Sequence, residues 1–510
     1  MASYAPKWHF HDPCGLCAKS SCGSAAATSG REGRFGNSTP NILVRMRLNF
    51  LRAVGVYAVQ QIESNKYFCA FFAINGMKVY DWAMLIEFSV TNFRSIMERQ
   101  TLNMAASAYS ELESLNTFIP DQDDSVPRLL RSTVVYGPNA SGKSTLIQAL
   151  RFVKSQVLNS QKESQAGDAI DVVPFKLTAA SRAADSEFEV TFVEQGIRYE
   201  YGFCCSRERF TEEWLIAYPL GRAQKWFHRV FDAEAGKDAY KFSTSFLGGK
   251  TRHGLWKEQT RPNALFFSTA IQLNNEQLKP AFDWFKLRLR VVDSVRGFSP
   301  GYTLKRCGND EDRQRVVAFM NSADLSIADI QLEETVFSAD SLPTEMPPAI
   351  RDELLKDMAG RKLVKPRFFH KDVNTAETVE FDESEESDGT RALFAITGPW
   401  LDVIENERVL VVDELDTSLH PLLVHHLVKR LHHEGTKAQL IFTTHDTTLL
   451  SQKLLRRDQV WFMEKDDRSA TRLYPLSDFS PRENEAIERG YLNGRYGGIP
   501  FLKDLDFYGV

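Results

Sequence analysis

The feature that most restricts this chain is the segment Gly137-Pro138-Asn139-Ala140-Ser141-Gly142-Lys143-Ser144-Thr145, a glycine loop with the spacing GxxxxGKS/T. Its flanks give the spacing meaning. Residues 132–136 read as a short buried strand, and from Lys143 to about residue 160 the apolar side chains Leu146, Leu150, Val153 and Val157 recur at helical spacing. Strand, loop and helix in that order make a cradle for phosphate. The glycines let backbone N–H groups turn inward, the helix presents its positive end, Lys143 neutralises terminal phosphates and Ser144 can ligate magnesium. A glycine turn arising by chance is the competing reading, and it would not require these flanks.

A cradle of this kind needs a sheet whose strand tips collect at one edge. Residues 409–412 form a buried apolar run that ends in Asp413 and Glu414. Asp413 is suited to hold magnesium through water and Glu414 to polarise an attacking water. An acidic loop capping the following helix is the plainer alternative and fits Asp416 better than the pair. The next expected strand, 438–443, ends in Thr443, Thr444 and His445, so His445 could reach the same γ-phosphate, although a lone histidine is more often structural. Upstream, residues 386–391 precede a helix expected from Arg391 to about residue 404. There Ser387 or Asp388 either caps its own backbone or leaves N–H groups for an anion. Gln272 follows a strand expected at 264–268 and reads equally as an ordinary loop residue.

Composition bounds the rest. With 510 residues, 43% hydrophobic and 25% charged, the chain can bury more than one core. Lys and Arg number 62 against 67 Asp and Glu, a net charge of -5, so attraction to nucleic acid would need a local patch. Seven cysteines, an odd and sparse set, exclude a disulfide scaffold and suit a reducing compartment. No apolar run reaches the roughly 18 residues of a membrane helix, because Arg45, Arg47, Arg52, Lys66 and Lys78 interrupt the N-terminal candidates. A cytoplasmic protein without membrane contact is expected.

Four segments follow. Residues 1–83 lack a sustained period and read as a leader, disordered or preceding a natural start at Met84. A transit peptide, from seven Lys or Arg against Asp12 and Glu32 up to Arg52, is one alternative. A zinc knuckle of His9, His11, Cys14, Cys17 and Cys22 is another. Residues 84–274 form a first lobe with a hairpin, 188–193 and 197–203, around Glu194-Gln195-Gly196, and a further strand at 214–218. Residues 275–380 read as a helical insertion, with segments near 277–292 and 312–321. Residues 381–510 return to strand and helix alternation. The sum is an α/β fold whose two halves close around an inserted helical subdomain.

Taken together, GPNASGKST, ESDGT, VLVVDELDTSLHP and TTH resemble the ABC-type ATPases of the SMC, RecF and OLD group in order and spacing. The segments FSVTNFRSI, LFFSTAIQLNNEQLKP and RYGGIP look like RloA-type ATPases, which are associated with bacterial abortive infection and anti-phage defence. The likeness runs from about residue 84 to 507.

The resemblance implies an ABC-ATPase-like P-loop NTPase head that binds and hydrolyses ATP with Mg2+. Gly137 to Thr145 become the Walker A loop, Asp413 and Glu414 the Walker B pair, 415–421 the D-loop, and Ser387 to Thr390, with Gly389, the signature. His445 becomes the switch histidine, Gln272 the Q-loop residue linking magnesium to the insertion, and Arg94 a basic residue near the phosphates. It also implies a homodimer or higher oligomer with ATP between copies, and control of a separate effector nuclease or toxin, since only about 65 residues follow His445 and carry no nuclease signature. Asp388 departs from the usual pair of signature glycines. Two rival readings stay open: a DNA-repair ATPase gripping nucleic acid through Lys286, Arg288 and Arg290, and a nucleotide-gated scaffold with little turnover.

Overall fold

The computed structural model describes residues 57–58 and 83–500, apart from 121–125, 338–350, 357–359 and positions 220, 324, 354, 361, 376, 452 and 484. The leader expectations, zinc and transit readings included, lie outside these residues save for the short strand Tyr57–Ala58. All described residues belong to one compact unit, Val54–Val510. No helix among them is long and apolar enough to cross a membrane.

After Tyr57–Ala58 the described elements continue with β1 (Ala83–Thr91) and β2 (Gln100–Asn103), then the strand before the glycine loop, β3 (Ser132–Tyr136), and helix α1 (Lys143–Asn159). A meander follows: β4 (Ser186–Glu194), β5 (Ile197–Cys205), β6 (Phe210–Tyr218), β7 (Gln224–Asp232) and β8 (Lys237–Phe242). Gln195 and Gly196 between β4 and β5 both have positive φ, 52° and 75°, the backbone that a tight two-residue hairpin requires. These strands form one antiparallel sheet in the order β8-β7-β6-β5-β4-β1-β2.

Helices α2 (Phe266–Gln272) and α3 (Lys279–Asp283, continued by a π-helical turn, Trp284–Arg288) lead into β9 (Leu289–Val292). Beyond it come α4 (Gly301–Cys307), α5 (Asp310–Asn321), β10 (Ile327–Val336), β11 (Lys362–Lys371) and β12 (Thr378–Asp382). The last third contributes α6 (Asp388–Glu405), β13 (Val409–Val412), α7 (Pro421–Leu431), β14 (Gln439–Thr443), β15 (Val460–Lys465) and β16 (Thr471–Pro475).

The second sheet runs β9-β13-β14-β3-β15-β16, parallel except for the final hairpin. Strands β3, β13 and β14 are buried at every residue, the expected state of parallel strands covered on both faces. Successive side chains of β3 go to opposite layers. Val135 joins Leu146, Ile147 and Leu150 of α1 and Phe88 and Phe188 of the antiparallel sheet. Val134 and Tyr136 join Phe394 and Trp400 of α6 and Leu427 of α7. Helix α1 is thus held between the two sheets while α6 and α7 cover the far face.

Three elements differ from the sequence expectation, one of them the strand β9, which occupies the end of the helix expected at 277–292. The run at 264–268 is the start of a helix, not a strand. An apolar run this short has no period to separate the two, and a distant group decides: the Glu213 carboxylate on β6 accepts the N–H groups of Phe266 (2.6 Å) and Phe267 (2.9 Å), capping α2. The insertion is also not wholly helical, because β10, β11 and β12 form an antiparallel sheet, with Tyr57–Ala58 also paired to β11. Pro366 and the dense charge of this stretch argue against a strand locally. Arg367, however, pairs across to Glu333 (2.6 Å) on one side and to Asp382 on the other, and Phe368 is fully buried.

Burial pushes the Glu213 carboxyl up to about 7, against Arg229, the two capped N–H groups and the Tyr201 hydroxyl, which all pull it down. A carboxyl raised in the folded state binds more protons there than in the unfolded chain, so its contribution to stability falls as pH rises between 4.5 and about 7. Denaturant titrations of wild type and Glu213→Gln across that window should show the wild type losing up to ~1.4 kcal/mol more per pH unit. Equal slopes would remove Glu213 as the cause.

Candidate functional site

Strand order places the site. Strand β14 lies between β3 and β13, with Thr443 opposite Val135 and Val412 opposite Phe442 in parallel register. Three C-terminal strand tips therefore meet at one edge: the glycine loop after β3, Asp413 and Glu414 after β13, and Thr444 and His445 after β14. The chemistry follows from how those tips are tied. Thr443 Oγ1 donates to Asp413 Oδ1 (2.5 Å) and accepts the Glu414 N–H (2.7 Å), while its carbonyl accepts the Leu415 N–H (3.0 Å). Asp413 is 8% exposed, whereas Glu414 stands in solvent with a left-handed backbone, φ 50°. A non-glycine residue held there stores on the order of 1–3 kcal/mol, tolerated where surrounding bonds over-determine it.

In the loop, Lys143 is 6% exposed and its ammonium donates to the carbonyls of Gly137 (2.8 Å) and Pro138 (3.2 Å). Burial lowers its pKa, while Asp413, Glu414 and Asp416 are near enough for their charges to oppose the shift. Gly137 is obligatory by contact, since a Cβ there would lie 2.2 Å from the Met463 carbonyl oxygen. Ser141 is 1% exposed, and its hydroxyl is buried without a hydrogen-bond partner. A buried hydroxyl with nothing to bond fits a phosphate oxygen as its missing partner. Asn139 and Ala140 form the exposed crown of the loop, Ala140 with φ 63°. Ser144 and Thr145 open α1, both half-buried.

Other candidates fall at varying distance from this edge. Exposed His445 donates its backbone N–H to Asp416 Oδ2 (3.3 Å). Arg94 is exposed in a left-handed turn, φ 52°, one residue before Ser95, whose hydroxyl donates to Thr145 Oγ1 (3.0 Å). Gln272 is not brought to the loop. It ends α2, whose Ser268 bonds the Val157 carbonyl (2.7 Å) at the far end of α1, and Val157 lies about 21 Å of helix rise from Lys143.

The place beside Asp413 is taken by Asp293, which sequence reasoning missed. It follows β9, the strand paired to β13, where the Val292 carbonyl accepts the Asp413 N–H (3.1 Å) and the Asp293 carboxylate pairs with Arg151 of α1. A strand ending in a carboxylate is the available signal, but the apolar spacing over 277–292 favours a helix.

Ser387 caps α6, its Oγ accepting the Thr390 N–H (3.1 Å), and Asp388 pairs with Arg391 one turn on. The Asp388 charge is thereby partly offset, and Gly389 leaves open space at the helix start. Lys286, Arg288 and Arg290 do not share an exposed helix face. Lys286 is exposed on the π turn, Arg288 donates to the Asn406 carbonyl (3.0 Å) and lies 3.6 Å from Glu194, and Arg290 is a half-buried residue of β9.

Residues 132–451 match the family described as "AAA domain, putative AbiEii toxin, Type IV TA system". No curated protein matches the chain. Among solved structures, the SMC head domain from Thermotoga maritima is 12% identical with a TM-score of 0.34, covering 77% of this chain and 98% of that one. The recombination mediator protein RecF is 13% identical with a TM-score of 0.33, covering 78% and 100%.

Proposed function

The chain belongs to the AAA-domain family that its residues 132–451 match, and from that premise we propose that it hydrolyses ATP with magnesium, sandwiched between two copies, as the ATPase subunit of a bacterial abortive-infection-type system that controls a separate effector. The observation that carries the reading is the convergence of the Lys143 loop with Asp413 and Glu414 on one sheet edge, where burial and opposing charges both act on Lys143. The partnerless Ser141 hydroxyl supports it.

The chemistry asked of such a site is mostly placement and charge. Lys143 and the N–H groups at the start of α1 hold the terminal phosphates, and Glu414 accepts the proton of the attacking water. Ser144 and Asp413 would hold magnesium, since a hard divalent cation takes oxygen ligands, and the ion would supply charge neutralisation at the phosphates. Asp293, not Gln272, is placed to link this edge to the insertion that follows β9. His445 stands ready to meet the γ-phosphate, and Arg94 approaches from the β1 turn.

Ser387 and Gly389 serve the partner's nucleotide. Gly389→Arg should add bulk at the opening of α6 without a clash inside its own chain, since a Cβ there meets nothing closer than Ser387 Oγ at 3.7 Å. Gly389→Arg and Lys143→Ala should each be inactive alone. Mixed in equal amounts and allowed to exchange, they should recover about a quarter of the wild-type rate, the share of intact composite sites when half the pairs are mixed. Hydrolysis that stays absent in the mixture would reject the shared site. Copurification of an effector encoded beside the gene tests the defence role.

A further inference from the structure

Every loop that turns its N–H groups inward must turn carbonyls outward, and a buried outward carbonyl needs a donor. For the Ser141 carbonyl that donor comes from the far end of the chain: Thr471 Oγ1, on β16, donates to it at 2.8 Å. Lys465 Nζ, which can only donate, gives a hydrogen bond to the same Thr471 oxygen at 2.9 Å, so the single hydroxyl proton turns away from Lys465 and is shared between two acceptors, the Ser141 carbonyl and Ser95 Oγ. Thr471 is 1% exposed and is fixed through its own N–H to the Ser95 carbonyl (2.8 Å), while its Oγ1 lies 2.9 Å from Ser95 Oγ. Ser95 in turn reaches Thr145 at 3.0 Å.

The same side chain fills the space beside Gly142. That glycine has φ +114°, and a Cβ on it would sit 2.3 Å from Thr471 Oγ1. Because the peptide between Ser141 and Gly142 is trans and planar, pinning its C=O on the Thr471 side directs the Gly142 N–H to the opposite side, into the cradle.

We propose that Thr471 is a positioning residue of the nucleotide site: it sets the tilt of the Ser141–Gly142 peptide, with Lys465 orienting its hydroxyl, so that the Gly142 N–H faces the phosphate chain. The proposal rests on the ATP reading above and names the part of the ligand concerned, the phosphates cradled by loop N–H groups. It also ties the β15–β16 hairpin and the Ser95 turn, which carries Arg94, to that loop.

The test is Thr471→Val, which keeps the shape and removes the hydroxyl, beside Thr471→Ser, which restores it. Affinity for ADP and for a non-hydrolysable ATP analogue, measured by calorimetry, should fall ~10-fold in Thr471→Val, the usual scale for orphaning a buried acceptor, and return to within about 2-fold of wild type in Thr471→Ser. In steady state KM should rise more than kcat falls, and any loss of unfolding temperature in Thr471→Val should be recovered in Thr471→Ser along with the affinity. Lys465→Met, a change at an exposed residue, gives a second variant should the first fold poorly, with affinity expected to drop ~3-fold.

Wild-type affinity in Thr471→Val would overturn the proposal, as would a loss of affinity matched by a loss of stability that Ser fails to rescue. A wild-type protein that binds no nucleotide would instead overturn the ATP reading itself, so the two failures are distinguishable.

Discussion

Lys143→Ala will lower the rate of ATP hydrolysis by ~10²–10³-fold, the scale for removing one preorganised charge from a phosphoryl-transfer site. The reasoning starts from what surrounds the ammonium. It is almost fully buried, bonded to two carbonyls of its own loop, and the nearby carboxylates of Asp413, Glu414 and Asp416 act on its charge. Removing it subtracts the cation that offsets this acidic edge and leaves a site that repels polyphosphate. Nucleotide affinity should therefore fall along with turnover. Phosphate release and calorimetry with an ATP analogue measure both effects, and Lys143→Arg should not rescue them, because a planar guanidinium does not fit where a compact ammonium bonds Gly137 and Pro138. A Lys143→Ala protein that hydrolyses ATP at the wild-type rate would dismiss the loop as the nucleotide site.

Glu414→Gln will separate binding from turnover. Its backbone is fixed in a left-handed conformation by Thr443, and its side chain stands in solvent at the tip of β13, with Oε2 accepting from Thr417 Oγ1 at 3.2 Å. Glutamine reproduces that shape but cannot take a proton from water, so kcat should drop by ~10²–10⁴-fold, the range for loss of a general base. Affinity for ATP should persist, and size-exclusion chromatography with ATP and magnesium should show a dimer that outlives the wild-type one. Unaltered hydrolysis would assign the base elsewhere. An inactive variant that stays monomeric with bound ATP would detach closure from this site.

The loop at 137–145, the acidic tip at 413–414 and the histidine at 445 were legible because each is announced by its own neighbours. Strands such as β3, β13 and β14 are short apolar runs bounded by turn residues, and α1 and α7 carry a helical period of apolar positions. Local chemistry was a poor guide where a distant group decides. The helix at 266–272 exists under the cap of Glu213, more than fifty positions earlier in the chain. The sheet at 327–382 exists because Arg367 and Phe368 find partners on both sides. Gln272 lies away from the loop and Asp293 stands beside Asp413 for the same reason: nothing within 264–293 states which of its segments will lie beside β13.

From sequence alone came the strand, glycine loop and helix at 132–160, the alternation of strands and helices around them, and a lysine with two acids as the candidate residues. These are written in residue spacing, because turn geometry and the periods of helix and strand are local properties of the backbone. Tertiary structure alone decided that β14 separates β3 from β13, that Asp293 stands beside Asp413, and that Thr471 reaches back across 330 positions to the Ser141 carbonyl. Such contacts depend on which buried polar group finds which donor once the two sheets close on α1, and that choice has no period along the chain to reveal it.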